Sequence, residues 1–120
     1  MKVVYSISLL LQSFNEKDNS PRNSFEHKIV LFRLDKEIAK NELINIVHKY
    51  NSEEPYEIES KEMVCWKPVK ILDVYEVIEE EPFVFCNNQE VYSRYFIEED
   101  ITISDILKTY FSDYVWEDSK

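Results

Sequence analysis

Apolar and polar residues alternate over the first third of the chain, recur at helical spacing, then alternate again. From Lys2 to Phe14, the residues Val3, Tyr5, Ile7, Leu9 and Leu11 form a wholly apolar row. Val4, Ser6, Ser8, Leu10 and Gln12 form a mixed row, as expected of a strand with one face on a core. Residues 15–23 (NEKDNSPRN) are polar, contain a proline and read as a loop. Residues 24–34 predict a second strand, with Phe25, His27, Ile29 and Leu31 on one face. Val30, Phe32 and Leu34 share the other face with Glu26 and Lys28. An antiparallel hairpin with a long loop joins the two most simply.

Asp35 stands where a helix N-cap belongs, its carboxylate placed to accept first-turn amide hydrogens. From there Ile38, Ala39, Leu43, Ile46, Val47 and Tyr50 recur at three- and four-residue spacing and predict an amphipathic helix. A third strand region begins near Ile58 or Met63, with a bulge or break at Trp66-Lys67-Pro68, because proline cannot donate to a ladder. Over residues 69–78, strict alternation puts Val69, Ile71, Tyr75 and Val77 on one face and Leu72, Val74 and Ile78 on the other. With both faces partly apolar, this strand reads as central. Residues 83–86, an Asn87-Asn88 turn and residues 89–96 supply a further strand or short hairpin. Thr102 or Ser104 caps a second helix whose stripe is Ile103, Ile106, Leu107, Tyr110, Phe111, Tyr114 and Val115. The expectation is an α+β fold with order strand-strand-helix-strand-strand-helix. Its antiparallel sheet has four to five strands, with the helices packed on it. At 120 residues, one domain accounts for the chain, with its core over about 2–115 and residues 117–120 frayed.

Composition narrows the chemistry. The chain has no glycine, so phosphate-cradling loops, dinucleotide fingerprints and nucleophile elbows have no means of forming. Its turns must rely on Asn-rich and Pro-containing segments. Net charge is −10 and unevenly spread. Residues 1–49 carry eight Lys and Arg against six Asp and Glu, a balance of +2, whereas residues 50–120 carry six against eighteen, a balance of −12. Such a surface repels nucleic acid and anionic membrane and attracts a basic partner. No stretch approaches the about 18 apolar residues of a membrane span, and residues 1–11 lack the pattern of a secretory leader. A cytoplasmic protein is the expectation. Cys65 and Cys86, both among apolar neighbours, then read as reduced, mostly buried thiols; a disulfide is the reading if the protein is exported.

Candidate sites are few. His27 and His48 stand on different elements and the cysteines are far apart in sequence, so no metal or other cofactor is expected. His27, between Phe25 and Ile29, reads as a satisfied histidine at the core edge, and His48 as a solvated one. Asp73 lies within an apolar strand and needs a partner, Arg94 or Arg33. An enzyme would have to draw on Asp73, Glu90 and Arg94. The carboxylates Glu79, Glu80 and Glu81 and the second run Glu98, Glu99 and Asp100 abut strand ends. If those ends meet, six negative charges share one rim suited to Lys and Arg on a partner. Tyr92, Tyr95, Tyr110 or Tyr114 nearby would add contact area at low entropic cost.

Five segments taken in order carry a resemblance: residues 5–10 (YSISLL), 25–32 (FEHKIVLF), 64–69 (VCWKPV), 72–76 (LDVYE) and 90–94 (EVYSR). Together they resemble a small bacterial family catalogued as domain of unknown function 4288. This chain lacks the glycines of that pattern before the Trp and before Glu90, and it adds the second helix. The resemblance implies the strand-strand-helix-strand-strand order and no activity. Charge and the lack of catalytic apparatus point to a non-catalytic protein with a protein partner of basic surface, and to no direct nucleic-acid or membrane contact. The leading expectation is an immunity protein that neutralises a cognate nuclease-type toxin. A nucleic-acid mimic that inhibits a DNA- or RNA-binding protein is the second reading.

Overall fold

The computed structural model describes residues 2–35, 38–52, 54–77, 84–97, 102–114 and 116. Two long strands, β1 (Lys2–Asn15) and β2 (Pro21–Asp35), form an antiparallel hairpin in which Lys2 faces Asp35 and Gln12 faces Phe25. The strands run further than the alternation alone predicts, and β2 takes in Pro21, Arg22 and Asn23. Helix α1 (Lys40–Asn51) follows, then β3 (Tyr56–Glu57), β4 (Met63–Val77), β5 (Gln89–Ile97) and α2 (Ile103–Tyr110). The fold is therefore α+β with an antiparallel sheet, in the spatial order β3-β4-β1-β2-β5.

Several expectations are corrected. The short β3 adds a strand between α1 and β4, so the order is strand-strand-helix-strand-strand-strand-helix. The central strand is β1, whereas β4 has β1 on one side and, among the described residues, only the two residues of β3 on the other. Asp35 does not cap α1. Pairing with Lys2 holds it as the last residue of β2, and α1 starts after Ala39, which makes no side-chain cap. Residues 84–86 carry no strand, and Val84 is 99% exposed.

The alternation assigned to β4 is inverted by two register shifts against β1. Ser8 faces Asp73 while Leu9 faces Ile71, and Leu10 faces Lys70 while Leu11 faces Pro68. Leu72 and Val69 are thus each an extra residue on β4, and each bulge switches the faces of the residues beyond it. The break expected at Pro68 is one of them. As a result Ile71 and Val74 join one core cluster, and Val69 and Leu72 join the other.

One face of the sheet holds Ile7, Leu9 and Leu11 of β1 with Val30, Phe32 and Ile71, covered by Leu43 and Val47 of α1. The opposite face holds Leu10, Phe25, Leu72 and Phe96, covered by Ile106 of α2 and Phe111 just beyond it. Two helices packed along the sheet overstate this arrangement. The buried residues of α1 are Leu43, Val47 and Asn51, and Tyr50 of the expected stripe is half exposed. Ile106 is the buried residue of α2; the helix ends at Tyr110, but Phe111 and Tyr114 of the expected stripe still pack on this cluster, and position 115 lies outside the described residues. Thr102 caps α2 as expected, in a reciprocal capping box with Asp105.

The sheet curls toward the face that carries α1. Trp66 of β4 and Tyr95 of β5 are three strand spacings apart, about 14 Å in a flat sheet. Their rings nevertheless meet edge to face at 5.8 Å. Without glycine, the left-handed turn positions among the described residues fall to Asn19, Lys61 and Asn88. Asparagine tolerates that region best after glycine, which accounts for Asn19 and Asn88 but not for Lys61.

The bulge at Leu72 makes a specific expectation. Ile71 and Leu72 are sequence neighbours on one strand, yet both are fully buried, on opposite clusters. Ile71→Ala and Leu72→Ala should each lower unfolding free energy in urea by about 2–5 kcal/mol, the range for truncating a core aliphatic. A cost confined to one of the two would contradict the register.

Candidate functional site

The six acidic residues Glu79, Glu80, Glu81, Glu98, Glu99 and Asp100 lie outside the described residues. Tyr92 and Tyr95 are described and exposed, at 42% and 59%. They are three residues apart on one strand, so they project from opposite faces. Tyr92 packs edge-on to His27 on the α2 side, and Tyr95 meets Trp66 on the α1 side. They flank the edge of β5 rather than forming one patch. Every residue from Gln89 to Tyr95 is exposed, and among the described residues no strand pairs with the outer side of β5.

The concave face beyond α1 holds a polar floor. Glu26 faces Leu11 on one side and Tyr95 on the other, and Ser13 faces Trp66. Glu26 is only 5% exposed, and its Oε2 accepts the Ser93 hydroxyl at 2.6 Å. Among the described residues no Lys or Arg forms a salt bridge with it. Lys28, two residues along the same row, turns instead to Asn51 Oδ1 at 3.4 Å and Glu90 Oε1 at 3.9 Å. The Ser13 hydroxyl is fully buried with no hydrogen-bond partner among the described residues. Trp66 is anchored by its indole N–H, which donates to the Tyr56 hydroxyl at 2.6 Å. Sequence patterning did not single out this cluster. Its one signal is that Glu26 shares a strand row with Val30, Phe32 and Leu34.

The opposite face brings Ser8 and His27 together, with Oγ and Nε2 2.6 Å apart. A nucleophile and its base would stand at this distance, but a catalytic histidine also needs a group to orient it. The residue facing His27 across β2 and β5 is Arg94, a cation, and the rings of Phe111 and Tyr92 pack edge-on against the imidazole. Burial first, and the Arg94 charge second, hold the His27 pKa below its ordinary 6.5. The pair is a hydrogen-bonded core element, as expected of His27. His48 departs from expectation: it is half-buried, and its Nε2 is enclosed with no partner among the described residues.

Asp73, Glu90 and Arg94 are not brought together. Asp73 lies on β4, whose neighbours are β1 and β3, so neither Arg94 on β5 nor Arg33 on β2 is on an adjacent strand. Asp73 instead accepts the Val74 amide at 2.9 Å and hydrogen-bonds Tyr75, whose phenol pKa is raised chiefly by that bond. Arg94 lies over the Phe96 ring at 4.6 Å, and Glu90 approaches Lys28. Cys65 is buried and Cys86 exposed, both free, so only the first fits the expectation of buried thiols. Among the described residues no group of three or more His, Cys, Asp or Glu could hold a metal ion, and no helix is long and apolar enough to cross a membrane. No family model, curated protein or solved structure matches the chain.

The lowered His27 pKa sets a pH dependence. The unfolded chain takes up this proton before the folded one, so His27's contribution is complete above about pH 6.5 and is lost as pH falls toward the folded value. Melting temperatures from about pH 7.5 to about pH 5.5 should show wild type losing more stability than His27→Gln. Parallel losses in the two proteins would remove His27 as the cause.

Proposed function

We propose that this chain is a non-catalytic protein-binding domain, and more narrowly a cytoplasmic immunity protein that neutralises a basic, nuclease-type toxin. The observation that carries the binding reading is β5. Among the described residues it is the outermost strand of the sheet, exposed from Gln89 to Tyr95, and it presents Val91, Tyr92 and Tyr95 at 53%, 42% and 59% exposure. An open strand edge is a template for association, and Glu90 and Arg94 supply the charges that discourage unselective pairing. Aromatic residues exposed beside it suit an interface, where Tyr is enriched among the anchoring positions.

The charge balance supplies the sign of the partner. β5 belongs to the part of the chain that carries −12, and Glu98, Glu99 and Asp100 follow it directly in sequence. Glu79, Glu80 and Glu81 lie shortly after β4. We assign these carboxylates, with Tyr92 and Tyr95, to the partner surface. The family resemblance belongs to the same proposal: its five segments all fall on β1, β2, β4 and β5, and it brings no activity.

The test is association kinetics with the product of the adjacent gene, at two salt concentrations. Reversing Glu79, Glu80 and Glu81 to Lys, or Glu98, Glu99 and Asp100 to Lys, should lower the on-rate about tenfold at low salt. Tyr92→Ala and Tyr95→Ala should raise the off-rate, each costing about 1–2 kcal/mol. An on-rate indifferent to salt and to both reversals would reduce the acidity to a solubility coat.

A further inference from the structure

We infer that the concave end of the sheet, floored by Glu26 and Ser13 and roofed by Trp66 and Tyr95, receives a guanidinium group, the side chain of an arginine supplied by the protein partner. This inference rests on the binding reading above and names the anchor that the partner would use.

Glu26 creates the need. A carboxylate 5% exposed is costly unless it is paired or well hydrogen-bonded. Among the described residues it accepts one side-chain hydrogen bond, from the Ser93 hydroxyl, although a carboxylate has room for several donors. The nearest cation in its own row, Lys28, is committed to Asn51 and Glu90. Beside it the Ser13 hydroxyl is buried and, among the described residues, unpartnered. Two acceptors with unused capacity therefore lie on one floor, and a multi-donor cation would satisfy both.

The roof narrows the class of cation. Trp66 and Tyr95 close over this floor from β4 and β5, with their ring planes at 76°. Trp66 is held from behind by the Tyr56 hydroxyl, and Tyr95 is 59% exposed on the edge strand. A guanidinium has the planar, five-donor shape to take the place of the Tyr95 ring against the indole and still reach the carboxylate. An ammonium lacks the plane and is more strongly hydrated. Tyr95 also belongs to the proposed partner surface, so the floor and that surface share a residue.

The experiment is an NMR titration of the full chain with N-acetyl-arginine amide, read at the Trp66 indole N–H and at the amides of residues 13, 26 and 93. The expected result is saturable binding on the order of millimolar, as suits one small group. Glu26→Gln should weaken it at least about tenfold, the loss expected for a charge-assisted contact. N-acetyl-citrulline amide, the neutral analogue, should give no saturable shift with wild type, a comparison that needs no variant to fold. N-acetyl-lysine amide should bind several-fold more weakly. No saturable arginine response, an equal response to citrulline or lysine, or indifference to Glu26→Gln would each overturn the inference. Partner association that keeps its salt dependence but ignores Glu26→Gln would do so too, while leaving the binding reading intact.

Discussion

The central strand β1 has no face to spare. Ile7, Leu9 and Leu11 are buried on one side and Leu10 on the other, each without solvent exposure. A strand of this kind cannot lie in a sheet open to water on either face, because each aliphatic side chain left exposed would forfeit roughly 1.5–3 kcal/mol. Cover is therefore needed twice over, and each side receives one short helix. Curling makes up the difference: the sheet folds toward α1 until Trp66 and Tyr95 touch. Where the helix does not reach, the sheet covers itself with its own margins.

The bulges in β4 serve the same constraint. Continuous alternation would place Val69 with Ile71 and Leu72 with Val74, whereas the two inserted positions put each pair on different clusters. Both faces of the neighbouring β1 thereby gain aliphatic cover from one strand. Bulges also increase local twist, which helps a sheet of long strands to bend. The polar floor at Glu26 lies where the aliphatic rows give out, between Leu11 and Tyr95.

Much of the frame is legible in the sequence, for physical reasons that also mark where legibility stops. The hairpin of β1 and β2 can be read because side-chain alternation needs no tertiary information, and Thr102 because a capping box is local. Asp35 misleads because its fate depends on Lys2, at the far end of the hairpin. The faces of β4 mislead because a bulge is a property of two paired strands, and β3 is too short to carry a pattern. Tyr92 and Tyr95 are legible as exposed aromatics on one strand, but their spacing of three already forbids a shared face. The burial of Glu26 comes from the curl, which no single strand encodes, and the acidic segments of the expected surface lie outside the described residues.

The strand order has a consequence for how the protein is made. A ribosome delivers β1 and β2 well before β4 and β5, which flank them on either side. At about 5–20 residues per second, several seconds separate completion of the hairpin from arrival of its last neighbour. Throughout that interval two long strands present apolar rows and unpaired margins to everything around the ribosome. Nascent chains held close together on one messenger would meet one another in that state. The hazard for this fold thus lies in its synthesis, before any finished molecule exists to be stable or unstable, and slow decoding after residue 35 would lengthen it.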